Sequence, residues 1–119
     1  MSRNKMTDTL VGNERNITFH GNALVDDNDN LIGCMCATTG QHIWTEETFA
    51  FDELFYIKEE HRSIEAATML VGAYVDWAKE RKVRKVFLCN SMGTNVKTFS
   101  LLARALGFKE VGSINQMEI

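Results

Sequence analysis

The residues best suited to chemistry lie where an apolar, strand-like run gives way to a helical pattern. This junction runs from Tyr56 to Ala67. The first N–H groups of a helix lack acceptors within the helix, and the helix dipole places positive partial charge at the same end. A phosphate or another anion is the ligand that such a junction suits. Every strand-helix-strand unit has a junction of this kind, so spacing alone does not identify the ligand.

Two other groups of candidate ligands are better explained by structural roles. The acidic run 26–30 opens like a calcium loop, but Leu31 and Ala37 stand where the loop needs a glycine and a bidentate glutamate. A hairpin turn is therefore the better interpretation. Cys34 and Cys36 would share one face of a strand, with no second Cys or His pair to complete a tetrahedral site. We expect no metal site.

Strands before the junction follow from apolar runs and turn residues. Residues 22–25 and 31–37 flank the acidic run and predict a β-hairpin, and residues 48–57 predict a third strand. Strict alternation in that third strand would place on one face Phe51, Glu53, Phe55 and Ile57.

Elements after the junction follow a helical and then a mixed pattern. Apolar residues at helical spacing over residues 63–81 predict a long helix. Residues 83–89 predict a strand and residues 94–106 a second helix, which Gly107 ends. Two short strands are expected in the C-terminal part, at residues 108–111 and 114–117.

Length and charge restrict the class of protein. The 119 residues suffice for one domain. With 13 Lys and Arg against 16 Asp and Glu, the net charge of −3 provides no broad basic surface for nucleic acid. No apolar stretch is long enough for a membrane span, and the N-terminus does not resemble a signal peptide. Three cysteines form no disulfide framework, so we expect a reducing cytoplasm.

Residues 1–16 are mostly polar and show neither the helical nor the strand periodicity. We expect residues 1–16 to be a flexible N-terminal arm, or one short helical turn around residues 6–11. Residues 17–119 are then a single domain.

Three motifs occur in order between Phe51 and Gly112. A strand leads into the loop Arg62 to Ala67, Trp77-Ala78-Lys79-Glu80-Arg81 closes the following helix, and the last helix ends in Gly107-Phe108. This half of the chain resembles the GCN5-related N-acetyltransferase (GNAT) family, whose loop reads Arg-x-x-Gly-x-Gly/Ala. It is also similar to the short GNAT-like proteins encoded by tailed bacteriophages.

The resemblance implies a fold and a cofactor. The fold is α/β, a mixed central sheet with an N-terminal β-hairpin, a βαβ core and two main helices, the family's N-terminal helices being reduced or absent. Splayed parallel strands at residues 51–57 and 83–89 would hold the pantetheine arm of acetyl-CoA. The acetyl-CoA site would comprise Tyr56, Ile57, Lys58, Arg62, Ser63, Ile64, Glu65, Ala66 and Ala67.

The implied reaction is direct transfer of acetyl from acetyl-CoA to an amine, without an acyl-enzyme. Glu53 is the candidate base, on the strand where the family often has a glutamate. Ala103 stands where many members have a tyrosine that protonates the leaving thiolate, so that Ser91 or a water would take this role, or the thiolate would leave unprotonated.

Two further departures leave two functions open. Glu65 replaces the first glycine of the loop, where its carboxylate would repel phosphate, and only about 16 residues precede the hairpin, which leaves the acceptor groove open. The first function is an acetyltransferase acting on an amine, for example a protein lysine. The alternative is a catalytically inactive GNAT-fold module that binds a protein partner. Exposed sheet edges in so small a fold favour a homodimer.

Overall fold

The computed structural model describes residues 5–8, 19–41, 47–90, 96–112 and 115–119. Within these ranges five strands form one sheet in the order β1-β2-β3-β4-β5. The strands are β1 (Lys5–Asp8), β2 (Phe19–Val25), β3 (Leu31–Gln41), β4 (Thr48–Ile57) and β5 (Lys85–Phe87). The helices are α1 (Ile64–Glu80) and α2 (Val96–Ala105), and a single 3-10 turn at Glu59–His61 precedes α1.

Strand directions confirm the predicted mixed sheet. Strands β1 to β4 pair antiparallel in sequence order, whereas β4 and β5 pair in parallel and are connected through α1. The hairpin, the βαβ unit and the two main helices are all present as predicted.

The hairpin turn between β2 and β3 is held by Asp26. Its Oδ1 accepts the backbone N–H groups of Asn28 at 2.8 Å and Asn30 at 3.0 Å. Asp29 has the positive φ of 62° that a tight turn needs and that a short polar side chain tolerates. The acidic run is therefore a turn, as its composition predicts.

One face of the sheet packs on α1 and forms the core. Seven α1 residues are buried, and they contact the inward side chains of β2, β3 and β4. Tyr74 and Leu70 of α1 are fully buried, as are Met35 of β3 and Phe55 of β4. Phe99 of α2 joins the same cluster. Burial of this apolar face is what holds α1 across the sheet.

Strand β4 contains a bulge at Glu53. Cys36 pairs with Leu54 and the next residue, Ala37, pairs with Asp52, so Glu53 is one extra residue in β4. The bulge reverses the alternation: Asp52 before it and Phe55 after it are both buried. The expected grouping of Glu53 with Phe55 and Ile57 is therefore wrong, since these two enter the core while Glu53 is exposed.

Several boundaries at the ends of the chain differ from expectation. The predicted helical turn is wrong for residues 6–8, which lie in β1 paired with β2. The strand predicted at residues 83–89 is limited to Lys85–Phe87. Residues 108–111 and 115–117 form no strand, because an extended segment becomes a strand only when it finds a partner edge. Residue 114 lies outside the described residues.

In the described part of the chain, neither helix is long and apolar enough to cross a membrane.

Two glycines differ in the space available for a side chain, and alanine substitutions at them should change stability in opposite directions. A Cβ on Gly33 would lie 2.5 Å from the Tyr56 carbonyl oxygen, whereas a Cβ on Gly72 in α1 would meet nothing within 4 Å. We expect Gly33→Ala to lower the free energy of unfolding by about 1–3 kcal/mol, because β3 and β4 must separate. Gly72→Ala should raise it by about 0.5–1 kcal/mol, because alanine favours the helix. Urea denaturation measures both, and equal effects would contradict the described register of β3 and β4.

Candidate functional site

Strands β4 and β5 pair over only three residues and then separate. The pairs are Phe49 with Lys85, Ala50 with Val86 and Phe51 with Phe87. Beyond Phe51, β4 continues to Ile57 with β3 on one edge, while β5 has ended. The second edge of β4 therefore has no paired strand beyond Phe51 among the described residues, as expected for the splayed strands that the resemblance implies. We call residues 52–57 of β4 the open edge.

The point of divergence is held by buried polar groups. Asp52, which is 7% exposed, accepts the Cys89 backbone N–H at 2.8 Å through Oδ1. Its Oδ2 has no hydrogen-bond partner among the described residues. Tyr74 of α1 donates its hydroxyl to the Phe87 carbonyl at 2.7 Å. Neither side chain is among the predicted site residues, and the only signal for Asp52 was a second acidic residue beside Glu53 in a strand of mainly apolar residues.

Burial controls the ionisation of these groups. Desolvation raises the pKa of Asp52, and the hydrogen bond from the Cys89 amide opposes that rise only in part. Burial also raises the pKa of Tyr74, and the nearby Asp52 carboxylate raises it further. The Tyr74 hydroxyl therefore remains a hydrogen-bond donor throughout the neutral range.

The N-terminus of α1 has donors available to an anion. Ser63 is the N-cap, and its Oγ accepts the Ala66 N–H at 3.1 Å. Ile64 and Glu65 have no acceptor for their backbone N–H groups within the described residues. Ala66 and Ala67 are buried against the core, so the first turn of α1 lies close to the sheet. Phosphate binding at these amides is the chemistry that this arrangement permits.

Arg62 and Lys58 link the loop before α1 to the sheet. The Arg62 Nε–H donates to the Ile57 carbonyl at 2.8 Å, and the Lys58 N–H donates to the Ile32 carbonyl at 2.7 Å. Arg62 thus holds the loop against the last residue of β4. It also occupies a carbonyl that the resemblance assigns to pantetheine.

The remaining predicted residues divide between exposed and undescribed positions. Tyr56 is 37% exposed, and Glu65 is exposed on the first turn of α1. Glu53 is exposed at the bulge, where its carboxylate accepts the Thr38 hydroxyl at 3.4 Å. Ser91 lies outside the described residues.

The structure thus brings together the end of β4 and the start of α1. Glu53 follows Asp52 directly at the point of divergence, but it faces away from the core that holds Phe55. Ala103 packs against the core and provides no hydroxyl.

Comparison with protein-family models identifies one family. The model of the acetyltransferase (GNAT) family matches residues 4–108. A search of curated protein sequences found no match.

Solved structures with the same fold share little sequence with this chain. A Trypanosoma brucei acetyltransferase has a TM-score of 0.76 at 10% identity, covering 98% of this chain and 100% of its own. Glucosamine-6-phosphate N-acetyltransferase from Arabidopsis thaliana has a TM-score of 0.76 at 10% identity, with 98% of each chain covered. AAC(6')-Iy, solved with the bisubstrate analog CoA-S-monomethyl-acetylneamine, has a TM-score of 0.74 at 14% identity, with 99% of each chain covered.

The raised pKa of Asp52 predicts how stability changes with pH. Its folded-state pKa lies above the unfolded value, so its contribution to stability is complete below the unfolded pKa and is lost as the pH rises through the folded pKa. Asp52→Asn cannot ionise. As the pH is raised from about 4 to about 7, the wild type should lose the contribution of protonated Asp52, whereas Asp52→Asn loses nothing at this position. The free energy of unfolding of Asp52→Asn minus that of the wild type should therefore increase.

Urea denaturation at both pH values measures this gain. Glu80→Gln, which removes an exposed carboxylate at the end of α1, is the control. A difference between Asp52→Asn and wild type that stays constant with pH, or that shrinks, would contradict the prediction.

Proposed function

The chain belongs to the acetyltransferase (GNAT) family, and from this premise we propose that it transfers acetyl from acetyl-CoA to a primary amine. The observation that carries the proposal is the edge of β4 that has no paired strand within the described residues, because β5 ends at Phe87 and β4 continues to Ile57. It lies on the same βαβ unit as the unpaired amides at the start of α1. A long ligand with a polar arm and a diphosphate fits an unpaired strand edge followed by a helix N-terminus.

The residues present fit such a ligand. The open edge of β4, including Tyr56 and Ile57 with Lys58 after it, would bind the pantetheine arm. The pyrophosphate would lie at the start of α1, next to Arg62, Ser63, Ile64, Glu65, Ala66 and Ala67. Acetyl-CoA supplies the activated thioester. The protein has only to hold it and to remove a proton from the amine.

Glu53 is the proposed base. It lies at the bulge, immediately after Asp52, and its side chain is exposed. The hydroxyl of Thr38 donates to it and orients it on the face of the sheet opposite α1. Ser91 stays a proposed proton donor for the departing thiolate.

The acceptor would approach on that same face. Leu54 and Tyr56 are 40% and 37% exposed there. An open apolar face suits a large acceptor, and a lysine of a protein is the acceptor class that we propose. A homodimer that completes this face stays a prediction.

A second function has a specific observation in its favour. The Ile57 carbonyl already accepts Arg62, and the Ala66 amide already donates to Ser63. Together with the exposed Glu65 carboxylate, these bonds describe a site that the protein's own groups partly fill. The second candidate is therefore a GNAT-fold module that does not turn over acetyl-CoA and binds a protein partner.

Glu65 provides the test that separates the two functions. Its carboxylate should repel phosphate, so we expect Glu65→Gly and Glu65→Gln each to bind acetyl-CoA about tenfold more tightly than wild type. The glutamine variant separates charge from bulk. Isothermal titration calorimetry measures the affinities, with Glu80→Gln at the other end of α1 as the control.

Each result has a distinct meaning. Micromolar binding by the wild type supports the acetyltransferase. Binding by Glu65→Gly alone supports the partner-binding module, and binding by none of the variants rejects the acetyl-CoA site. Unchanged affinity in both Glu65 variants, beside a wild type that binds, would contradict the proposed place of the pyrophosphate.

Glu53 provides the test of catalysis. We expect Glu53→Gln to lower kcat by at least about a hundredfold, the usual contribution of a general base, and to leave acetyl-CoA affinity unchanged. Release of the CoA thiol with a panel of primary amines and lysine peptides measures turnover. Glu59→Gln, an exposed carboxylate in the turn before α1, is the control. Equal turnover by Glu53→Gln and wild type would exclude Glu53 as the base.

A further inference from the structure

We infer that Asp52 is a positioning residue that sets how β4 and β5 separate, by giving the β5 chain a side-chain acceptor in place of a β4 backbone carbonyl. This inference rests on the proposed function, because the separation matters only if a ligand binds to the open edge. Asp52 would act through Cys89 and the backbone around it, without touching the reacting atoms.

The register of the two strands shows what Asp52 replaces. The last backbone pair is Phe51 with Phe87, so a continued parallel ladder would bring the Cys89 N–H to the backbone of β4. Instead the Asp52 Oδ1 accepts this N–H at 2.8 Å. The Cys89 amide is thereby satisfied, and it no longer competes for the backbone groups of the open edge.

Helix α1 holds the same point from the other side. The Tyr74 hydroxyl donates to the Phe87 carbonyl at 2.7 Å, two residues before the Cys89 amide. The β5 chain is therefore held by side chains both at its last ladder residue and two residues after it. The Asp52 and Tyr74 side chains are buried, whereas Phe87 and Cys89 are half-buried, so competition from water for these bonds is reduced.

Stability alone does not explain an aspartate at this position. The residue is 7% exposed, and its Oδ2 has no partner within the described part of the chain. A buried unpaired carboxylate oxygen is unfavourable, and a β-branched apolar residue would suit the interior of a strand better. Residues that oppose stability in this way are characteristic of functional sites.

The inference is tested with two substitutions at Asp52 and one matched control. Asp52→Asn keeps a carbonyl oxygen for the Cys89 N–H, whereas Asp52→Val removes it. Asn22→Val makes the same change from polar to β-branched apolar at another buried position, on β2. Asp52→Ala replaces Asp52→Val if the valine variant does not fold.

Hydrogen exchange of the Cys89 amide and the Kd for acetyl-CoA are the two readouts. Asp52→Val should lose about fivefold in Cys89 protection and about fivefold in affinity, the loss expected for one hydrogen bond. Asp52→Asn should retain both, and Asn22→Val should change neither. Thermal unfolding should show that Asp52→Val is at least as stable as Asp52→Asn.

Two results would overturn the inference. One is wild-type Cys89 protection in Asp52→Val, and the other is equal loss of affinity in Asn22→Val and Asp52→Val. A wild type that does not bind acetyl-CoA rejects the proposed function instead, and the Cys89 protection of the two Asp52 variants then still decides the role of Asp52.

Discussion

The extra residue in β4 is the constraint on which the rest of the structure depends. A strand that alternated strictly could not bury both Asp52 and Phe55, because these residues are an odd number apart. The bulge at Glu53 allows both side chains to face α1. It places the Glu53 carboxylate on the opposite side of the sheet. A bulged strand also bends, which is consistent with the loss of β5 pairing immediately before it. One inserted residue thus links the core, the exposed acid and the divergence of the strands.

A second link joins the end of the sheet to the start of the helix. Arg62 bonds to the last residue of β4, and Ser63 caps α1 immediately afterwards. Short loops of this kind fix the direction in which the first amides of the helix point. The donors at the start of α1 therefore lie next to the end of β4, and whether phosphate or the protein's own groups use them depends on the balance between the helix dipole and the Glu65 charge.

Local patterns in the sequence predict most of the elements and the position of the candidate site. The bounds of β4, the length of α1 and the turn at Asp26 follow from periodicity and turn chemistry within a few neighbouring residues. Features that depend on contacts between distant residues could not be predicted from local patterns. The bulge depends on how β4 registers against β3, and Asp52 meets an amide 37 positions further along the chain. The expected C-terminal strands failed for the same reason, since their existence depends on a partner edge that the sequence does not name.

The bond between Asp52 and Cys89 also has an evolutionary consequence. Where backbone ladders define an opening, its width changes only through insertions or shifts of register, which disturb the whole sheet. Where one side chain spans the gap, a single codon can lengthen, shorten or neutralise the span and leave the fold intact. Chains with the same fold and only 10–14% identity to this one show how far sequence can drift on this scaffold. If acetyl-CoA binds at the open edge as proposed, position 52 offers selection a way to adjust that edge without redesigning the domain.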